Sequence, residues 1–307
     1  MKKIVLLMLV VFLTSCATIN VSEKSAFQES KYKFDEYSNY INKLDKTPEE
    51  KKALLYAVDK VINKDDVFIG AKNGVELQRN FLTNNNAKME YFVFKPKNAD
   101  KVGVYFLGNG SNIFNFTDNL FELSDKTNSK IYVLNYRGYG KSDGTPSFKT
   151  QFDDDNYFYN YIKKNENKID YVVGYSLGSI FATYLTVDNN IKELFLLSPF
   201  SDTKDYFDHF KNQNMKGAKS LAKSFVRIKA DDYLMKISNV EKIKNYKGKL
   251  VVFHGTQDNM LPYSMGKKLI DNSVSTNKKM YTIPQGNHGS AFNKENWENL
   301  VGEINKS

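Results

Sequence analysis

A serine, a carboxylate and an imidazole, each just beyond an apolar run, are the groups in this chain best suited to nucleophilic chemistry. Ser176 lies in Val172-Val173-Gly174-Tyr175-Ser176-Leu177-Gly178-Ser179, a G-x-S-x-G directly after a strand-like run and directly before a helical one. A sharp strand-to-helix turn strains the backbone at the serine and lifts its hydroxyl clear of a sheet. The residues two before and two after must then be small. The helix start behind it offers N–H groups and positive potential to a developing oxyanion. Three small residues recur by chance, so it is the strand–turn–helix setting that makes the motif informative. A serine hydroxyl is a weak nucleophile and needs a base oriented by a third group. His288, in Gly286-Asn287-His288-Gly289-Ser290, is the candidate base. Asp258, in His254-Gly255-Thr256-Gln257-Asp258, is the candidate acid. Asp202, one strand earlier, is a rival acid; Asp258 is preferred because it ends a loop directly after a strand. His254, at a strand end, reads as structural, and His209 as a surface residue of an insertion.

Apolar runs at 102–107, 131–135, 171–174, 193–197, 250–254 and 280–283 read as strands buried on both faces of a parallel sheet. Helical patterns near 113–127, 150–164, 177–187, 263–272 and 291–304 alternate with them. This alternation predicts a doubly wound α/β domain, a mostly parallel sheet with helices on both faces. Each candidate site residue follows a strand, so all three should gather at the sheet's C-terminal edge. Residues 75–82 and 88–94 are strand-like, with the Asn-rich turn 84–86 between them. Helices are expected over 31–44 and 48–62, the second opened by Thr47-Pro48-Glu49-Glu50, a cap, a proline at the first helical position and two acids.

The stretch 201–247 breaks the alternation and predicts a helical lid or cap insertion within a domain spanning 66–307, preceded by a helical segment over 31–65. Inside it, residues 211–230 hold basic residues and no acid. Lys216, Lys219, Lys223 and Arg227 recur at helical spacing, while Ala218, Leu221, Ala222, Phe225 and Ile228 take another face. That reads as a basic amphipathic helix, either a solvated lid face or one that lies on anionic lipid or steers an anionic substrate over the site. Thr150 and Asp153 read as a T-x-x-D helix cap, which would put Asp153, Asp154 and Asp155 at a helix start. Arg137 reads as an internal brace rather than a phosphate ligand. No metal constellation and no phosphate-cradling loop is recognisable, and no cofactor is expected.

The 307 residues carry 41% apolar and 26% charged residues, a globular composition. One cysteine excludes a disulfide framework and a thiolate zinc cluster. The net charge of +9 permits attraction to anions but does not specify them. At the N-terminus, Lys2 and Lys3 precede ten apolar residues and then Thr14-Ser15-Cys16. This is the layout of an export signal over 1–15, too short for a permanent span of a core about 30 Å thick. An exported chain is kept from cytoplasmic nucleic acid, and no nucleic-acid motif accompanies the charge, so no nucleic-acid partner is expected. Residues 16–30 are polar, without a clear period, and read as a tether.

Leu13-Thr14-Ser15-Cys16 resembles a bacterial lipobox, which implies acylation of Cys16, a membrane-anchored product and a place in the bacterial cell envelope. By the same resemblance, Ala17 after the cysteine implies outer-membrane sorting in a Gram-negative cell. The order Ser176, Asp258, His288 and the strand–turn–helix around Ser176 resemble the α/β-hydrolase superfamily of serine hydrolases. Residues 135–147, Asn135-Tyr136-Arg137-Gly138-Tyr139-Gly140-Lys141-Ser142-Asp143-Gly144-Thr145-Pro146-Ser147, resemble its prolyl-oligopeptidase-like and depalmitoylase-like branch almost residue for residue. The resemblance runs from about residue 70 to 304. It implies an α/β-hydrolase fold, the triad Ser176, Asp258 and His288, and oxyanion donors at the main-chain N–H of Asn109 and Leu177. It departs at Leu107, where the family usually has histidine. The expected activity is cleavage of carboxylic esters or thioesters, including those of acyl lipids, by a lipid-anchored enzyme. The alternatives are a small peptidase or amidase, and a non-catalytic binding lipoprotein on the same scaffold.

Overall fold

The computed structural model describes residues 17–65, 67–214 and 226–306. Cys16 and the candidate helix residues Lys216, Ala218, Lys219, Leu221, Ala222, Lys223 and Phe225 lie outside the described residues.

Eleven strands are described: β1 Ala17–Val21, β2 Phe68–Lys72, β3 Val75–Asn84, β4 Ala87–Pro96, β5 Lys101–Phe106, β6 Ser129–Leu134, β7 Tyr171–Tyr175, β8 Glu193–Leu197, β9 Val226–Ala230, β10 Lys249–Gly255 and β11 Lys278–Ile283. Nine of them form one sheet in the order β2-β3-β4-β6-β5-β7-β8-β10-β11. From β6 to β11 every neighbour is parallel. The pairs β2–β3, β3–β4 and β4–β6 are antiparallel. The β3–β4 hairpin turns through Asn85 and Asn86, both at positive φ (46° and 60°), the handedness that a two-residue hairpin needs and asparagine tolerates.

The inner parallel strands β5, β6, β7, β8 and β10 are buried along most of their length because both faces are covered. β11, at the sheet's edge, departs from the expectation of a strand buried on both faces over 280–283, since Ile283 is its one buried residue. On one face, Phe158 and Ile162 of helix Phe148–Glu166, Phe181 and Leu185 of helix Gly178–Asp188, and Leu269 of helix Tyr263–Asn272 join one buried cluster. On the other, Leu120 and Leu123 of helix Thr117–Thr127 and Trp297 and Leu300 of helix Lys294–Asn305 join a second, with Val61 of helix Pro48–Asn63. Each such side chain contributes about 1.5–3 kcal/mol by burial. At the start of helix Pro48–Asn63 the expected cap forms, with Thr47 accepting from the Glu50 N–H at 3.2 Å, and the structure adds a return bond in which Glu50 accepts from the Thr47 N–H at 2.8 Å.

Three further expectations are corrected. Residues 17–30 are not a free tether. Strand β1 pairs in parallel with β9, and Phe27 is buried against Phe148, Tyr136 and Phe181 at ring separations of 4.9, 6.3 and 6.2 Å. Second, the basic stretch is not one helix through Ile228. Helix Thr203–Asn214 carries Lys211, and Arg227 and Ile228 lie on β9. There Arg227 and Lys229 are exposed while Ile228 and Ala230 are half-buried, a period of two that belongs to a strand. Third, helix Phe148–Glu166 starts earlier than expected. Ser147 is its cap, in a reciprocal pair with Thr150. The three acids therefore sit one turn in, where Asp154 takes a bidentate pair from Arg137 at 2.6 and 2.8 Å. Arg137 thus braces the 135–147 loop from inside.

Candidate active site

Strand order reverses beside β5: β6 lies on one side of it and β7 on the other. In open α/β sheets the crevice beyond the strands' carboxyl ends at such a point is where ligands bind. Here it receives the turn after β5, with Asn109, and the turn after β7, with Ser176.

Ser176 has φ +52°, the left-handed region, as an elbow requires. A Cβ at Gly174 would stand 2.5 Å from the Ala182 methyl. One at Gly178 would run into the Phe106 and Leu107 carbonyl oxygens. Both motif glycines are thus dictated by close approach. The second contact also presses the end of β5 against the start of helix Gly178–Asp188, which Leu177 immediately precedes. The Ser176 N–H donates to the Leu197 carbonyl at 3.0 Å, fixing the elbow to β8.

The structure brings Ser176, His288 and Asp258 into one chain of hydrogen bonds. His288 Nε2 lies 2.8 Å from Ser176 Oγ, and His288 Nδ1 lies 2.7 Å from Asp258 Oδ2. A carboxylate only accepts, so the imidazole proton sits on Nδ1 and Nε2 is left to accept from the hydroxyl. Asp258 Oδ1 accepts from the Met260 and Leu261 N–H groups at 2.9 and 3.0 Å. Burial alone would raise the Asp258 pKa. Hydrogen bonds from His254 and His288, the charge of His288 and the Leu261 N–H outweigh it and hold the carboxyl well below its ordinary range. Burial first, and then the Asp258 charge, push the neighbouring Tyr175 hydroxyl up to about 12. The Tyr175 ring sits 5.3 Å from the His288 ring.

The rival groups have other work. Asp202 accepts from Lys268 Nζ and from the Asp205 N–H, both at 2.8 Å. His254 is buried; its Nε2 lies 2.7 Å from the Leu261 carbonyl and 3.3 Å from Asp258 Oδ2. His209 Nε2 lies 2.7 Å from the Asn259 carbonyl, tying helix Thr203–Asn214 to the loop that carries Asp258. Among the described residues no cluster of His, Cys, Asp and Glu is arranged to hold a metal ion.

A cavity of about 650 Å³ opens over Ser176. Its walls are mostly apolar, with Phe148, Ile180, Phe200 and Phe207 among them, and Asn109 and Leu177 stand at its rim beside Ser176. Leu107, at the family's histidine position, is fully buried, and its carbonyl accepts from Tyr136 at 2.5 Å.

Two groups of site residues escaped the sequence reading. Ser198, at φ +45°, donates to the His288 carbonyl at 2.8 Å and so supports the histidine loop. Ile19, Asn20, Val21, Ser25 and Ala26, together with Ile228 of β9, form a wall of the cavity. The alternation Thr18-Ile19-Asn20-Val21 was the available signal for that wall.

A family model described as the alpha/beta hydrolase fold matches residues 106–234. The YfhR protein of Escherichia coli K12 is 25% identical over 251 residues, 77% of this chain and 79% of its own. The lysophosphatidylserine lipase ABHD12 of Danio rerio is 26% identical over 171 residues, 50% of this chain and 41% of its own. Among solved structures, the esterase Pf2001 of Pyrococcus furiosus superposes with a TM-score of 0.61 at 19% identity, covering 76% of this chain and 91% of that one. Strand order, elbow and the matched family model agree that this chain has the α/β-hydrolase fold.

Proposed function

We propose that the chain is a serine hydrolase of the esterase type. The observation that carries this reading is the unbroken hydrogen-bond chain from Ser176 Oγ through His288 to Asp258, at 2.8 and 2.7 Å. Ser176 Oγ attacks the substrate's carbonyl carbon as its proton passes to His288 Nε2. The oxyanion that forms is held by the main-chain N–H groups of Asn109 and Leu177. The tetrahedral species collapses, the bond to the leaving oxygen or sulfur breaks, and His288 returns the proton to that atom. Water then repeats the sequence on the acyl-enzyme and frees the acid. Asp258 keeps the imidazole in the reactive tautomer and stabilises the imidazolium.

Carboxylic esters and thioesters with an acyl chain suit the apolar cavity above Ser176. The names of the lipase and esterase relatives support that class. The resemblance of residues 135–147 supports a prolyl-oligopeptidase-like or depalmitoylase-like branch. We further propose that Cys16 is acylated and anchors the enzyme in a bacterial envelope. Ala17, the next residue, begins the strand that borders the cavity, so the anchor would hold the cavity near lipid.

The test is turnover of p-nitrophenyl esters set against aminoacyl-anilides, with fluorophosphonate labelling. Ser176→Ala is expected to abolish labelling and to cut ester turnover by about four or more orders of magnitude. Anilide turnover exceeding ester turnover would favour an amidase, and Ser176-independent turnover would overturn the reading.

A further inference from the structure

The N-terminal segment reaches the chemistry itself. Asn109 spends its whole side-chain amide on stitching. Its Oδ1 accepts from the Gln28 N–H at 2.7 Å and from Tyr139 Oη at 2.9 Å, and its Nδ2 donates to the Ala26 carbonyl at 3.0 Å. The next residue, Gly110, is at φ +67° and lies against the Gln28 side chain. The segment is pinned elsewhere too. Phe27 is sunk among Tyr136, Phe148 and Phe181. The Gly140 N–H donates to the Ser30 carbonyl at 2.8 Å, and Asn112 Nδ2 donates to Ser30 Oγ at 3.0 Å. The turn after β5 is thus held from outside the sheet, by a stretch of chain whose other end lines the substrate cavity.

We propose that residues 26–28, acting through the Asn109 side chain, position the Asn109 main-chain N–H for the developing oxyanion. Asn109 is then a positioning residue through its side chain as well as a donor through its backbone. This rests on the serine-hydrolase reading. An oxyanion donor acts only if it is aimed where charge develops, so a small displacement costs rate rather than binding. A segment that served only as a cavity wall would change affinity for long acyl chains and leave the turnover of an acetyl ester alone.

The experiment measures kcat and KM for p-nitrophenyl acetate in the full-length protein. Asn109→Ala keeps the main-chain N–H and removes all three side-chain bonds. The side chain is exposed, so the fold should survive. The expected result is a fall in kcat of about 30-fold with KM changed less than about threefold. Asn109→Asp keeps the acceptor for Gln28 and Tyr139 and should recover part of the loss. Phe27→Ala, which unpins the segment without touching Asn109, should lower kcat in the same way. Unchanged kcat in Asn109→Ala, or a change confined to KM, overturns the proposal while Ser176→Ala still abolishes turnover. If Ser176→Ala leaves turnover intact, it is the hydrolase reading that has failed instead.

Discussion

The two sides of the cavity are built on different principles. On the chemical side, Ser176, Asp258 and His288 follow β7, β10 and β11, strands in the parallel part of a nine-stranded sheet. Their loops are tied to one another: the Gln257 N–H donates to the Gly286 carbonyl at 2.8 Å and the Ser198 N–H to the Phe253 carbonyl at 2.8 Å. On the opposite side, β1 and β9 form a two-stranded ribbon that shares no hydrogen-bonded edge with that sheet. Its core contacts are the partly buried Val21 and Ala230 at the ribbon's end and, a few residues beyond β1, Ala26 and the one fully buried ring, Phe27. A two-stranded ribbon is marginal by itself. The first side is over-determined and can hold groups to hydrogen-bond tolerance. The second is held by few contacts and sets the shape of the substrate space. On our reading the triad is thereby placed on the stiff side, while the soft side shapes the substrate space and, through Ala26 and Gln28, holds the turn that carries Asn109.

The sharpest way to break this comparison is at the acid. Asp258→Asn is expected to lower kcat by about 10⁴-fold, because the amide can no longer hold the imidazole in the reactive tautomer. Asp202→Asn should change kcat less than about threefold. It keeps the oxygen that accepts from the Asp205 N–H and only weakens a pair with Lys268, itself 39% exposed. Steady-state kinetics on one ester decides between the two. Equal losses would mean that Asp202 serves the histidine as much as Asp258 does, and the chemistry would then not be confined to the loops after β7, β10 and β11. The Asp258 carboxyl, held below the ordinary 3.8, keeps its charge as pH falls through 5 and 4, so its stabilising contribution is present above that range and is lost only under more acidic conditions.

A smaller effect tests the soft side. Ile228 is half-buried on β9 and faces the cavity. Ile228→Ala removes apolar contact from a bound chain but touches none of the reacting groups. The ratio of kcat/KM for a long-chain to a short-chain p-nitrophenyl ester should fall about tenfold, roughly 1.4 kcal/mol or two methylenes' worth of burial. The acetyl ester should be unaffected in kcat. A loss that is equal for both esters would mean that the ribbon serves catalysis at large, not chain selection.

The same contrast governs what could be read from residues alone. Ser176 and Asp258 were legible because each lies just beyond an apolar run that forms a buried strand, and because the elbow forces small residues around the serine. His288 follows β11, where Ile283 is the one buried residue, and was legible from its place after the last strand and the order Ser176, Asp258, His288. The Asn-rich turn and the Thr47 cap were legible for local reasons of the same kind. The ribbon was not. Ala17 pairs with Val226 and Val21 with Ala230, across about two thirds of the chain. The alternation Thr18-Ile19-Asn20-Val21 hints at a strand, but five residues are too few to announce so distant a partner. The misplaced cap at Thr150 has a simpler cause: Ser147 and Thr150 together satisfy the helix start, and the acids that follow it answer to Arg137 instead. The role of the Asn109 side chain was hidden because its partners, Gln28 and Ala26, lie in the segment that had been read as unpacked.

The smallest expected effect lies at the end of the ribbon. Asp231 Oδ2 accepts from the Glu23 N–H at 3.0 Å, and the Asp231 N–H donates to the Val21 carbonyl at 3.2 Å. Asp231→Ala removes the first bond and keeps the second. One exposed hydrogen bond to a charged acceptor contributes about 1 kcal/mol net. That is small against the whole fold but large against a local opening of the ribbon. The global Tm should therefore move by less than about 2 °C. Limited proteolysis within residues 17–23 should accelerate about fivefold, since a 1 kcal/mol change in the opening equilibrium is a factor of about five in the cleavable population. A drop in Tm with no gain in local cleavage would show that the ribbon opens only when the sheet does, and the division between a stiff and a soft side would then be wrong.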